Sequence, residues 1–167
     1  MTIPYVPYIE RTRTYYSTLG YPAYEWAHYE DVPFTALQKP LQEARLALIT
    51  TAAPFQEALG DQGPGAAYNA SAKFFRVYTA DVSPIPDLRI SHLGYDRKYS
   101  TAEDPRSWLP VEQLQAAVAE GRLGELAEQL IGVPTNRSQR VTLEQDAEEA
   151  LTACMDLRAD IALLVPS

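Results

Sequence analysis

The order of apolar segments in this 167-residue chain predicts an α/β domain: a mainly parallel, open sheet flanked by helices and preceded by a Tyr/Pro-rich N-terminal arm. Three observations predict it. Short apolar runs within 45–51, which ends in two hydroxyls, and 160–165 read as strands, the first buried on both faces. Amphipathic repeats at 110–121 and 142–157 lie between them and read as covering helices. The first 40 residues follow neither period, so residues 1–40 read as an arm with a helix, and 41–167 as the sheet with its helices.

The arm holds seven of the eleven tyrosines, between Tyr5 and Tyr29, interleaved with Pro4, Pro7 and Pro22. A helix is expected over 8–19, stopped by Gly20 and followed by Pro22. The tyrosines read as packing groups before site-lining ones, because a phenol ring buries a large area while its hydroxyl stays wet. Residues 56–72 surround Gly63-Pro64-Gly65 without periodicity and read as a loop. Strands are expected over 74–79 and 88–93, separated by Ser83, Pro84 and Pro86.

Pro110 in a first turn, Val111, Leu114 and Val118 on one face and Gly121 at the exit describe the first covering helix. A second short helix is expected over 124–130. In the last helix Thr142 and Gln145 have capping-box spacing, and Leu143, Ala147, Ala150, Leu151, Cys154 and Leu157 recur along one face. Cys154 on that stripe reads as a small buried hydrophobe.

A chain of this length hides roughly 68–70% of the surface its unfolded form exposes and needs no covalent staple. With the single Cys154 there is no internal disulfide, which fits a reducing compartment. No apolar run approaches the roughly 20 residues that cross a bilayer, and the start shows no signal pattern, so a soluble cytoplasmic protein is expected. The formal charge of −8 is uneven: residues 1–102 carry ten acids and nine bases, residues 103–167 twelve and five. Acidic helices without a Lys/Arg cluster argue against nucleic acid and read as a solvated face. Phosphate-loop, dinucleotide and serine-elbow motifs are missing, and two histidines with one helical cysteine have no metal-ligand spacing.

Several segments, in order, resemble the selenoprotein B family of glycine, sarcosine, betaine and D-proline reductases, in particular its short, D-proline-reductase-like branch. They are Val6-Pro-Tyr-Ile-Glu-Arg-Thr-Arg13 with Leu19-Gly-Tyr-Pro22, Leu46-Ala-Leu-Ile-Thr-Thr51, Phe75-Arg76-Val77, Leu88-Arg-Ile-Ser-His-Leu-Gly-Tyr-Asp96 and Ala159-Asp-Ile-Ala-Leu-Leu-Val-Pro166. The resemblance spans nearly the whole chain, with no single piece specific. It implies a reductase that cleaves the C–N bond of a small amine or amino acid with dithiol as reductant. A selenolate or thiolate attacks the carbon bearing an activated amine, and a pyruvoyl group on a partner subunit does the activating.

In that family the strand matching Ile161–Val165 runs into a selenocysteine or cysteine, whereas this sequence stops at Ser167. The chain therefore reads as ending just before its nucleophile, through a recoded stop codon, a chosen boundary or natural shortening. Leaving two or three of Ile161, Leu163, Leu164 and Val165 uncovered forgoes roughly 1.5–3 kcal/mol each, so the domain is expected either to be marginal or to have them covered by a second copy or a partner subunit. The whole reading hangs on this segment: its lying at the sheet's outer edge, or Ser167 lying far from any cavity shared with His92, would count as its failure.

His92 and Asp96 are the candidate catalytic pair, a base oriented by a carboxylate across a turn at Gly94. Thr50, Thr51, Tyr95 and Ser167 are the candidate substrate-binding residues, hydroxyls at strand ends where α/β sheets bind ligands. Family members often have glycines where Ala52-Ala53 stands, which puts anion binding by that loop in doubt. His28 in its aromatic stretch reads as packing. The alternative is a non-catalytic binding or assembly module on the same fold.

Overall fold

The computed structural model describes residues 7–23, 25, 27–33, 35–59, 73–90, 103–135 and 138–167. These fall into two compact units, Met1–Phe34 and Thr35–Ser167. In the first, helix α1 (Tyr8–Thr18) ends as expected at Gly20, whose φ of 79° lies in the left-handed region that glycine adopts freely. Tyr16 meets Tyr15 edge-on at 6.0 Å and Tyr21 at 6.3 Å. Tyr15, Tyr21 and Tyr29 are exposed, so these three do not pack down as the sequence suggested.

The second unit is α/β with a mixed, mostly parallel sheet. Its centre is β1 (Arg45–Thr50), the run of Leu, Ala and Ile read from the sequence. On one side β1 pairs in parallel with β5 (Glu125–Leu126) and then β6 (Gln129–Gly132); on the other it pairs along its length with β7 (Ile161–Val165). β3 (Tyr78–Asp81) lies antiparallel against β6, and β2 (Ala53–Pro54) with β4 (Leu88–Arg89) forms a separate antiparallel ribbon. The strand expected over 74–79 is thus displaced toward the C-terminus, and of that expected over 88–93 only Leu88–Arg89 is a strand among the described residues.

Alternation along β1 sets the layers. Leu46 and Leu48 face α2 (Val111–Ala119), packing with Trp108, Leu109, Val111, Ala117 and Leu123. Ala47 and Ile49 face α4 (Ala147–Asp156), packing with Ala150, Ala153, Cys154 and Leu157. The two helices therefore cover opposite faces of the same strand. α4 is preceded by α3 (Gln139–Val141) and a π-helical stretch, Thr142–Asp146. The N-cap is Ser138, whose hydroxyl accepts the Val141 N–H at 3.3 Å, so the Thr142/Gln145 box is not used.

The helix expected over 124–130 is in fact the strand pair β5 and β6. Glu125, Leu126 and Gln129 favour a helix locally, but Ala127, Leu130 and Ile131 are fully buried beside β1, and ladder pairing with burial on two faces overrides that preference. Gly124 explains the tight approach, since a Cβ there would meet Glu43 and Ala44 backbone atoms at 2.7–2.8 Å.

Among the described residues β7 has no partner beyond β1 and is the outermost strand, which corrects the expected inner position. The crossover from β6 carries the chain past β1 to its far side, and β3 takes the other flank of β6. Leu164 stays 68% exposed and Leu163 37%.

Candidate functional site

The N-terminal ends of β1 and β7 are tied by charge. Asp160 accepts the Arg45 N–H at 2.8 Å and the Lys39 ammonium at 2.9 Å, and its own N–H donates to the Arg45 carbonyl. These partners, first the Arg45 N–H and then Lys39, hold its carboxyl below the usual value. The Arg45 guanidinium pairs with Glu125 at 2.9 Å and with Glu128.

The carboxyl ends are tied by uncharged hydroxyls. Thr51 Oγ1 accepts the Ser167 N–H at 2.7 Å and donates to the Ser167 main-chain oxygen at 2.9 Å, with the two side-chain oxygens 3.2 Å apart. Thr50 is fully buried, its hydroxyl accepting the Ala52 N–H at 3.1 Å, which closes the strand into a tight turn. Val133 N–H donates to the Thr50 carbonyl at 2.8 Å and extends the β1–β6 ladder to the same level.

Tyr78 completes this end. Its hydroxyl donates to the Ala52 carbonyl at 2.7 Å, and its ring lies over its pairing partner Gly132 so closely that a Cβ there would fall 1.9 Å from the ring. Burial pushes the phenol well above its usual value, so it stays a neutral donor. The sequence marked Tyr78 only as β-prone. It also passed over Asp146, a carboxylate 1% exposed at the end of the π-helical stretch. Its position on the buried 146/150/153/157 face is the signal that was there to be read.

This geometry brings Thr50, Thr51 and Ser167 together. His92, Tyr95 and Asp96 lie outside the described residues, and with them the cavity expected between His92 and Ser167. Among the described residues a cavity of about 240 Å³ opens between the β4 ribbon and the start of α2, lined by Leu88, Arg89, Arg106, Trp108, Leu109 and Glu112 among others. Thr51 and Ser167 do not line it. Arg89 is clamped by Asp87 and stacked on Phe55, and Arg106 by Asp104, so each guanidinium is already neutralised by a neighbour.

Cys154 packs in the α4 layer, and burial raises its thiol above the ordinary value, the reverse of what a thiolate nucleophile needs. Among the described residues no group of three His, Cys, Asp or Glu side chains could hold a metal, and no helix is long and apolar enough to cross a membrane.

The strand connections mark one candidate place for a ligand. From β1 the chain passes through β2, β3 and β4 before α2 leads to β5 and β6 on one side; from β6 it goes by way of α4 to β7 on the other. The carboxyl ends of β1 and β7 are thus the point where winding reverses, and in α/β sheets the crevice above such a point is the binding place. Set against known protein families, characterised proteins and solved structures, the chain matches none.

Proposed function

We propose that this chain forms the substrate-side part of a reductase that cleaves the C–N bond of a small amine or amino acid, in the manner of the selenoprotein B family. The observation that carries the reading is the Thr51–Ser167 contact at the β1/β7 reversal. It fixes the end of β7 over the place where a ligand would sit, so a selenolate or thiolate carried just past Ser167 would be aimed into that crevice. Thr51 and Ser167 supply uncharged hydrogen-bonding groups, and Tyr78 keeps the turn at Ala52 rigid. His92 and Asp96 are proposed as base and orienting carboxylate, with Tyr95 beside the substrate. The thiolate role does not fall to Cys154, whose environment opposes ionisation. A pyruvoyl-bearing partner subunit would activate the amine, and a dithiol, oxidised to the disulfide, would supply the two electrons.

The outer position of β7 favours a second reading, a non-catalytic assembly module that docks a partner on Leu163 and Leu164. Turnover separates the two. The gene is expressed with selenocysteine insertion through the codon after Ser167, and the product is mixed with a pyruvoyl reductase subunit, dithiothreitol and glycine, sarcosine, betaine or D-proline. The proposal expects amine release or ring opening matched one for one by dithiol oxidation, absent with the 167-residue chain. Failure with every substrate, alongside tight binding of the subunit by the 167-residue chain, would favour the module.

A further inference from the structure

Trp108 is 2% exposed, and its indole N–H has no acceptor among the described residues. A buried tryptophan ordinarily finds a partner for that group, because an unpaired donor keeps the full cost of leaving water. The ring is held by the apolar cluster on the α2 side of β1, with Leu48, Leu88, Leu109 and Val111. It also forms part of the wall of the cavity of about 240 Å³ between the β4 ribbon and the start of α2. This space is distinct from the β1/β7 ends, since neither Thr51 nor Ser167 lines it.

The charges around the cavity narrow what fits. Arg89 gives Nε and Nη2 to the two carboxylate oxygens of Asp87, at 2.6 and 3.0 Å. Arg106 gives the same two nitrogens to Asp104, at 2.8 and 2.9 Å. Glu112 adds a carboxylate to the wall, and its charge acts on Arg106. Among the described residues three carboxylates thus stand against two guanidiniums, so an entering anion meets no surplus of positive charge. An ammonium group would bring the indole a second donor, not an acceptor. Leu88, Leu109 and the Trp108 ring supply apolar wall, and the volume lies below the roughly 300–1,000 Å³ of pockets for drug-sized ligands. We propose that this cavity binds a small uncharged molecule, of the size of one ring and one polar group. Its carbonyl oxygen accepts the Trp108 N–H, and its apolar body packs on Leu88 and Leu109.

The inference is independent of the reductase reading, and its test needs no turnover. Benzamide is the probe, with benzoate and benzylamine as the matched anion and cation. The protein has two tryptophans, and in protein labelled on tryptophan nitrogen the Trp108 indole signal is the one that Trp26→Phe keeps. Benzamide should move that proton downfield along a saturating curve, with half-saturation at about 1–10 mM. Benzoate and benzylamine should bind at least about 10-fold more weakly. Glu112→Phe sets a ring into the space from an exposed helix position, and Ile85→Phe does so from the segment before β4. Either should abolish the shift with the melting temperature unchanged. No shift at saturating benzamide would overturn the proposal, as would equal binding of all three probes or a shift that survives both substitutions. A cross-peak from the Trp108 N–H to bound water that benzamide leaves in place would overturn it too.

Discussion

The two ends of the β1–β7 pair are built from different chemistry. At the start, Asp160, Lys39, Arg45, Glu125 and Glu128 form a charged, solvent-facing clasp. At the finish, Thr50, Thr51 and Tyr78 each bond main chain through a hydroxyl, and the Ser167 hydroxyl meets that of Thr51. Exposed ion pairs contribute little and are screened by salt, so the first end serves register. Buried and part-buried hydroxyl bonds cost more to break, and they tie the second end together through neutral side chains.

The largest effect should come from crowding the close approaches. Gly132→Ala drives a methyl into the Tyr78 ring and is expected to cost about 1–3 kcal/mol in urea unfolding, through overpacking. Relaxation by swinging Tyr78 outward would show as quick ionisation of that phenol in the folded protein. Tyr78→Phe should cost about 1–2 kcal/mol by leaving the Ala52 carbonyl without its donor.

The same phenol gives a pH dependence of definite sign. Its folded value lies above the unfolded 10.0, so its contribution is complete below pH 10.0 and lost as the pH rises toward the folded value. Alkaline melting of wild type against Tyr78→Phe should converge. At the charged end the sign reverses. Asp160 titrates below its ordinary 3.8, so its contribution is present above that value and lost as the pH falls through the folded one. Asp160→Asn should flatten the acid limb of stability against pH, and 1 M salt should shrink the difference in wild type. The smallest effect is expected from Thr51→Val, about 0.5–1.5 kcal/mol, read as faster exchange of the Ser167 amide with the rest of β7 unchanged. Equal loss of protection along all of β7 would mean that the hydroxyl cluster is no separate unit.

What the sequence made legible follows from which residues carry their own signal. β1 and β7 announced themselves by apolar runs, α2 by a period closed with Gly121, and α1 by its stop at Gly20. β5 and β6 did not, because Glu125 to Ile131 reads as a helix until β1 is beside it, and only the tertiary ladder decides. The cap at Ser138 was hidden by the better-looking Thr142/Gln145 spacing, which the π-helical stretch displaces.

At the site, Thr50, Thr51 and Ser167 were legible as strand-end hydroxyls, though not that Thr50 turns inward and Thr51 clasps Ser167. Tyr78 was not, since its role depends on a strand pairing that lays its ring on Gly132. The demand that β7 lie inside the sheet failed in this chain. Among the described residues β7 pairs with β1 alone, and that outer position counts against the reading.

The most direct measurement of the central claim is whether glycine, sarcosine, betaine or D-proline slows hydrogen exchange at the Ser167 amide. The proposal predicts slowing by at least one of them that Thr51→Val abolishes. Unchanged exchange with all four would contradict a substrate site at the ends of β1 and β7.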